Sequence, residues 1–313
     1  MQKIKFEKAV NEYLIISESN LKMNSYRSMK NRLINCILPY FKNKYIHKIT
    51  IKDYINWQLI INDKNYSIVY KKNLHVCFVT FLNYCIKYYG LDKNIAQLVG
   101  NFKDNSFKED KIHIWTIDNF NKYINKINSD DIVHKCVIEF LYLTGVRLGE
   151  VSALKFSDID FVNNSVRINK NMTRYIDKNG NRIITTPKSK SSIRTLCINN
   201  FIINEINLLK KYYIEEYGYF DDNMYLFGGI KPISFTTLER KKNYYCELSN
   251  VPKIKIHELR HSHACLLFMN NVPIDEISYR LGHSSISITM DVYLQFLPKQ
   301  EKKVLATLNS LSL

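Results

Sequence analysis

Four short motifs in the second half of the chain carry the side chains that could do chemistry. Two contain an arginine, Thr144–Glu150 (TGVRLGE) and His257–His261 (HELRH). The third is the basic run Thr186–Arg194 (TPKSKSSIR), and the fourth is Leu281–His283 (LGH), which is followed by Tyr293. Guanidinium groups stay charged and can bind two phosphate oxygens at once. A phenol, with a pKa of about 10, can attack at neutral pH when a base or anion stabilisation assists it.

In this order and spacing, the motifs resemble those of the tyrosine recombinase (phage integrase) family. The family pattern is an Arg after Thr-Gly, a Lys in a β-turn, His-x-x-Arg, a His or Trp after Leu-Gly, and a nucleophilic Tyr ten residues further on. Each motif alone is weak evidence, whereas four in the family order are specific. The resemblance covers the second domain in full. The first domain resembles the family's core-binding domain in its size and helical sequence pattern more than in any motif.

The resemblance implies a site-specific recombinase that cuts and rejoins DNA strands through a 3′-phosphotyrosine, without a metal or nucleotide cofactor. Such an enzyme would integrate or excise a mobile element or phage. Arg147 and Arg260 would bind the non-bridging oxygens of the attacked phosphate, where negative charge develops. His257, on the same helix face as Arg260, would be the general base for Tyr293. His283 would donate a hydrogen bond to the phosphate.

Two further positions complete the expected site. Lys188, in the basic turn, would be the general acid that protonates the leaving 5′-oxygen. Lys190 lies in the same turn and stays open as the alternative acid. Glu150, three residues after Arg147, is expected to support the site.

Two other functions compete with this interpretation. His257–His261 also fits His-Glu-x-x-His, the zinc metalloprotease pattern, with Glu276 or His283 as a conceivable third ligand. The net charge of +16 and the arginine inside the motif argue against zinc, because a cation there would repel Arg260. A catalytically silent DNA-binding protein of the same fold would show the same charge and helices. Substituting Tyr293 by Phe would separate the classes.

Composition points to a basic intracellular protein. The 313 residues include 45 Lys and Arg against 29 Asp and Glu. Residues 1–105 hold 17 and 7 of these, a balance of +10, and the remainder holds 28 and 22, a balance of +6. Such an excess in a folded domain indicates a polyanion partner. Seven scattered cysteines without Cys-x-x-Cys predict buried, reduced thiols, and no signal peptide or membrane-length apolar run is present, so we expect a cytoplasmic location.

The pattern of apolar residues predicts a mainly α protein of two domains. Residues 1–100 are predicted to form a helical core-binding (SAM-like) domain, and 101–111 an interdomain linker. Residues 112–313 are predicted to form a mixed α/β catalytic domain with a small antiparallel β-sheet. Strand-like runs between Phe161 and Ile198, with the hairpin signal Asn179-Gly180, locate that sheet.

Several helix boundaries can be predicted from capping residues. Thr50 is a plausible N-cap for a helix over Ile51–Ile61. Ser67 could cap a longer helix that stops at Gly90. Tyr26, Met29, Leu33 and Ile37 recur at helical spacing in the first domain.

The end of the chain suggests an assembly contact. After Pro298 four apolar residues share one helix face: Val304, Leu305, Leu308 and Leu311. In proteins similar to this one, such a tail docks on a neighbouring protomer, which implies a tetramer on synapsed DNA; packing on its own domain is the alternative. The expected partners are a double-stranded recombination site and an accessory directionality protein. Because helix-like sequence starts by Phe6, we expect this chain to lack the arm-site-binding domain that begins many such integrases.

Overall fold

The computed structural model describes residues 3–103, 113–187, 189–293 and 309–310, without the side chains of residues 190, 288 and 291–293. The chain divides into two compact units, Met1–Glu109 and Asp110–Leu313. Each unit has its own hydrophobic core. The predicted linker at 101–111 lies mostly outside the described residues, and so do the four apolar residues of the tail.

Unit 1 is built from helices. They are α1 (Phe6–Asn20), α2 (Met23–Arg32), α3 (Leu38–Phe41), α4 (Ile51–Asn62), α5 (Ile68–Tyr89) and α6 (Ile95–Val99). Thr50 caps α4 through a capping box with Asp53, because each residue's side chain accepts from the other's backbone N–H, at 3.2 and 3.0 Å. Ser67 caps α5, and Gly90 ends it in a left-handed conformation with φ +66°. These boundaries match the predicted ones to within one residue.

One part of unit 1 departs from the predicted helical periodicity. Leu33–Ile37 forms a π-helical turn between α2 and α3. The wider turn still buries Leu33 and Ile37. The core around it is rich in aromatic rings, and Trp57 donates from Nε1 to the carbonyl of Cys36 at 2.8 Å. This bond satisfies one backbone acceptor inside the irregular turn.

Unit 2 is also mainly helical. Its helices are α7 (Ile117–Ile124), α8 (Ile132–Thr144), α9 (Leu148–Val151), α10 (Asn200–Tyr217), α11 (Phe235–Ser249), α12 (Ile256–Met269), α13 (Ile274–Leu281) and α14 (Ile286–Tyr293). Most of α8 is buried, and it packs against both α10 and α12. A helix that is apolar on nearly all sides belongs at the centre of a unit. The end of this central helix therefore gives a fixed reference point for the residues that follow it.

Among the described residues, the strands divide between two small antiparallel sheets, where the sequence predicted one. The first has the order β1 (Ile159–Asp160), β2 (Ser165–Ile168), β5 (Arg194–Cys197), and the second pairs β3 (Asn171–Ile176) with β4 (Arg182–Thr185). β2 has β1 on one side and β5 on the other, so neither of its edges is left for β3. The turn between β3 and β4 contains the predicted Asn179-Gly180, with Gly180 at φ +81°.

All seven cysteines are free, and six of them are buried as expected. Cys197 is exposed, because side chains alternate along β5 and this position faces outward. Among the described residues, no helix has both the length and the apolar character needed to cross a bilayer.

Candidate active site

The connection between α8 and α9 carries Arg147. Gly145 ends α8 in a left-handed conformation with φ +67°, and its N–H donates to the carbonyl of Leu141 at 3.0 Å. A Cβ on Gly145 would lie 2.5 Å from Cδ2 of His263, so both the backbone angle and the packing require glycine. Arg147 follows in an extended conformation as the N-cap of α9. Thr144-Gly145 thus sets the direction in which the arginine leaves the helix.

Arg147 is braced on one side by a carboxylate. Its Nη1 donates to Oε1 of Glu150 at 2.9 Å, and its Nη2 donates to the carbonyl of Gly282 at 3.3 Å. The backbone N–H of Arg147 donates to the other carboxylate oxygen at 3.0 Å. The side chain remains 34% exposed, whereas that of Glu150 is 3% exposed. The guanidinium is therefore held in orientation while part of its surface stays open to a ligand.

Glu150 is a buried anion between two arginines. Arg194, on β5, donates to its two carboxylate oxygens at 3.4 and 3.1 Å. Burial opposes ionisation of Glu150, but the charges and hydrogen bonds of Arg194 and Arg147 outweigh it and lower the pKa of the carboxyl. Glu150 is therefore ionised at neutral pH. These are the contacts through which Glu150 would support the site, which remains a prediction.

Arg260 joins two backbone segments of the site. It lies on α12, is buried, and donates from Nη1 to the carbonyl of Gly145 at 2.8 Å and from Nη2 to that of Leu281 at 2.7 Å. Arg147 contacts Gly282, the very next residue. The two arginines thus meet the same turn at the end of α13 from two different helices.

His257 lies one helical turn before Arg260 on α12, and its ring stacks edge-on with that of His261 at 5.1 Å. His257 keeps an exposed surface. Its pKa is nevertheless lowered to about 4, first because the surrounding protein displaces part of its water and then because His261, Arg260 and Arg147 are positive or can become so. The pKa of His261 is lowered as well, by desolvation and by Arg260. His257 is therefore neutral at pH 7 and able to accept a proton.

His283 follows the left-handed Gly282 that ends α13. Its Nδ1 lies 2.7 Å from the hydroxyl of Thr289, a buried residue on α14. Its pKa is lowered to about 4 by desolvation and by the positive charges of Arg260 and Arg147. Arg147 and Arg260 bind the carbonyls of Gly282 and Leu281, the two residues before His283, and Arg260 lies one helical turn after His257. The four candidate side chains therefore lie in one neighbourhood.

The remaining candidates are only partly covered. Tyr293 is the last residue of α14, and its side chain lies outside the described part of the chain. Lys188 also lies outside the described residues. Lys190 opens a 3₁₀ turn, Lys190–Ser192, with a side chain that is likewise outside the description. The structure thus brings together Arg147, Glu150, His257, Arg260 and His283.

One cluster of potential metal ligands occurs among the described residues, and it includes neither His257 nor His261. Cys136 and Glu139 on α8 meet Glu205 on α10 with ligand atoms within 4.8 Å of one another. The ammonium of Lys135 already lies 3.0 Å from Glu205 and 3.5 Å from Glu139. A side-chain cation therefore lies beside both carboxylates of this cluster.

Sequence comparison identifies the family. The profile of the "Phage integrase family" matches residues 115–300, more than half of the chain, and that of the "Phage integrase, N-terminal SAM-like domain" matches residues 5–60. The chain belongs to the phage integrase family.

Two curated relatives of this phage integrase family member extend over most of its length. An ICEBs1 integrase from Bacillus subtilis (strain 168) is 28% identical over 98% of this chain and 83% of the relative. A XerC-like tyrosine recombinase from Caldanaerobacter subterraneus subsp. tengcongensis is 32% identical over 90% of this chain and 75% of the relative.

Solved structures of integrases share the fold of this family member. A Tn1549 transposon integrase in complex with transposon right end DNA has a TM-score of 0.76 at 20% identity, covering 99% of this chain and 100% of that one. A lambda integrase dimer bound to a COC′ core site has a TM-score of 0.68 at 15% identity, covering 92% of this chain and 95% of that one. The predicted fold class, a helical domain followed by a mixed catalytic domain, is confirmed.

Sequence reasoning gave no role to two residues that this integrase-family site contains. Arg194 ends the basic motif, but nothing in the sequence indicates that it pairs with Glu150, which is 44 residues earlier. Thr289, which contacts His283, lies on α14 between that histidine and Tyr293. This helix is too short for its apolar periodicity to indicate whether Thr289 is buried or makes a polar contact. One sequence signal could have indicated that Arg194 is buried. Side chains alternate between the two faces of a strand, so Arg194 lies on the same inward face of β5 as Leu196.

Proposed function

We propose that this phage integrase family member is a site-specific DNA recombinase that cuts and rejoins strands through a covalent bond between Tyr293 and a DNA 3′-phosphate. Its biological role would be to integrate or excise a mobile element or phage. The observation that carries the proposal is the joint placement of Arg147, Arg260, His257 and His283 around the turn at Gly282. Two guanidinium groups and two neutral imidazoles suit a phosphodiester that gains negative charge in the transition state.

In the cleavage step, the phenol oxygen of Tyr293 attacks the scissile phosphorus. A P–O bond to tyrosine forms as the bond to the 5′-oxygen breaks, leaving a 3′-phosphotyrosine and a free 5′-hydroxyl. His257 accepts the phenol proton, and Lys188 donates a proton to the leaving oxygen, with Lys190 as the alternative donor. The lowered pKa of His257 keeps it in the proton-accepting form at neutral pH.

His283 is suited to donate to a non-bridging oxygen. If the hydroxyl of Thr289 donates to Nδ1 across their 2.7 Å contact, the ring proton resides on Nε2. That nitrogen can then donate to phosphate without the ring being charged. Religation repeats the same displacement, with a 5′-hydroxyl attacking the phosphotyrosine and Tyr293 leaving. Because one phosphodiester is exchanged for another, no nucleotide is consumed.

The partners are a duplex recombination site and further copies of this chain. Lambda integrase, whose fold is similar, has been solved as a tetramer bound to a Holliday junction. We extend that assembly to this protein, with the segment holding Val304, Leu305, Leu308 and Leu311 docking on the neighbouring protomer and an accessory protein setting direction. If truncation after Pro298 left cooperative DNA binding and recombination unchanged, the docking role would be wrong.

The decisive experiment uses a nicked suicide duplex that carries a site from the DNA flanking the gene, incubated in EDTA and analysed on a denaturing gel. The wild-type chain should give a covalent protein–DNA band. Tyr293→Phe should remove that band while DNA binding, measured by gel shift, stays within a few-fold. Tyr279→Phe is the matched control, because Tyr279 is an exposed tyrosine of the same unit, and it should retain the band.

Two outcomes would count against the proposal. A covalent band that persists in Tyr293→Phe would place the nucleophile elsewhere. Specific binding to a site, with no covalent band from the wild-type chain on that site, would favour a silent DNA-binding protein.

A further inference from the structure

Arg194 is a fully buried arginine at the centre of the candidate site. Its side chain has no exposed surface. Nε donates to the carbonyl of Arg280 at 2.7 Å, and Nη1 donates to that of Ser192 at 3.0 Å. Nη1 and Nη2 also donate to the carboxylate of Glu150. One side chain therefore connects the end of the basic turn, the last turn of α13 and the helix that follows Arg147.

These contacts continue into a closed ring. Glu150 binds Arg147 as well as Arg194. Arg147 in turn donates to the carbonyl of Gly282, which is two residues after Arg280, whose carbonyl accepts from Arg194. The fit is tight, since a Cβ on Gly282 would lie 2.9 Å from Nη1 of Arg194. A displacement of Arg194 would therefore shift both Arg147 and the turn that carries His283.

We propose that Arg194 is a positioning residue of the recombinase site, which orients Arg147 through Glu150 and holds the turn at Gly282–His283 against it. The inference rests on the proposed function of the chain. Arg194 does not contact DNA in this proposal, because its side chain is enclosed by protein. A planar fork with five donors is required for the task, since three separate groups must be bound at once.

The charge balance around Glu150 makes the role testable by pH. Arg194 faces it from β5 and Arg147 from α9, and both lower its pKa against the effect of burial. After burial, the charge of Arg194 is also among the causes that lower the pKa of Arg280 and of His283, both at the end of α13. Removing Arg194 leaves a buried carboxylate with one partner, so its pKa should rise and protonation should release Arg147.

Two variants separate the charge of Arg194 from its shape. Arg194→Lys keeps the charge but cannot donate to all three groups, and Arg194→Met removes the charge at similar length. The control is Lys242→Met, which removes another buried cation of the same unit, one that binds Glu239 and the carbonyl of Ile254 and shares neither partner with Arg194. Folding is checked by thermal unfolding of each variant.

The readouts are DNA affinity and the single-turnover rate of the covalent band with DNA saturated. Arg194→Lys is expected to lower that rate by about tenfold and Arg194→Met by about 100-fold, with little change in affinity. Lys242→Met is expected to keep the rate within about twofold, because Lys242 shares no hydrogen-bond partner with Arg194. In Arg194→Met the rate should recover as pH rises above the raised pKa of Glu150, which a loss of folded protein alone would not produce.

The inference is wrong if Arg194→Lys folds and cleaves at the wild-type rate at every pH. It is also wrong if both Arg194 variants lose rate only in proportion to their loss of folded protein. If Arg194→Met does not fold, the Lys variant decides alone. Absence of a covalent band from the wild-type chain would instead count against the proposed function.

Discussion

Arg147 and Arg260 share one site, but their surroundings suit them to different tasks. Arg260 is 3% exposed, and each of its terminal nitrogens donates one N–H to a backbone carbonyl. These two bonds to the backbone hold its guanidinium in a fixed direction. Arg147 is braced by Glu150 and keeps a larger open surface. These surroundings suit Arg260 to a fixed position in the candidate site, whereas Arg147 has more surface open to a ligand.

The two histidines give the site an unusual pH dependence. Both pKa values lie near 4, below the ordinary imidazole value, so both rings are neutral throughout the physiological range. A base that must be neutral works above its pKa and fails as pH falls through it. At protein concentrations well below saturation of the DNA, where the rate reports the pKa values of the free protein, we expect the single-turnover cleavage rate to show no histidine-dependent loss from about pH 8 to about pH 5.5, and to fall only as pH approaches 4. Rates measured by quench across this range test the prediction, and an acid limb with a midpoint near 6.5 would contradict it.

At the scale of helices, capping chemistry made several boundaries predictable. Thr50, Ser67 and Gly90 act through local bonds to residues three to five positions away, and such bonds can be inferred from the neighbouring sequence. The π-turn at Leu33–Ile37 was not predictable in the same way. Its residues would also fit an ordinary α-helix, and the wider turn depends on how the rest of unit 1 packs around it.

The same distinction applies to the candidate site. Arg147, His257, Arg260 and His283 were found because they lie in motifs that resemble a family. Arg194 was not assigned, because its partners are brought to it by the packing of β5 against α9 and α13. A contact between distant segments leaves no periodicity or spacing in the chain. The ring of bonds around Glu150 therefore needed the structure.

The turn between α8 and α9 offers a test of how packing, rather than backbone angle alone, fixes Arg147. Gly145 and Gly218 both end helices of unit 2 in left-handed conformations, at φ +67° and +73°. A Cβ on Gly145 would meet His263 at 2.5 Å and Leu281 at 2.8 Å, whereas one on Gly218 would meet nothing within 4 Å. Gly218→Ala should therefore cost about 1 kcal/mol from backbone strain, and Gly145→Ala about 3 kcal/mol, since a clash is added.

Urea unfolding of the two variants measures these costs, and the covalent-band assay measures their effect on the site. Gly218→Ala should cleave DNA at the wild-type rate, whereas Gly145→Ala should lose at least about tenfold, because Arg147 and the carbonyl that Arg260 binds both shift. Equal costs of unfolding for the two variants would show that the packing around Gly145 yields easily.

At the scale of the whole molecule, the excess positive charge and the buried charges of the candidate site are expected to have different effects, the first on DNA binding and the second on the geometry of the site. The net charge is +16, of which residues 1–105 contribute +10 with 17 basic and 7 acidic residues. Surface charges of this kind attract a polyanion and are screened by salt. The ion pair between Arg194 and Glu150 is enclosed by protein and is screened far less. Binding and chemistry should consequently respond to salt in different ways.

We therefore expect DNA affinity to fall steeply with salt while the cleavage rate of the bound complex changes little. If six to ten phosphates are neutralised, affinity should fall by about 10³- to 10⁵-fold between about 50 and 200 mM salt. The single-turnover rate with DNA saturated should change by less than about threefold, since the bonds that orient Arg147 are largely buried. Fluorescence anisotropy gives the first quantity and the covalent-band assay the second. A cleavage rate that fell as steeply as the affinity would mean that exposed charges, rather than the braced arginines, set the geometry of the phosphate.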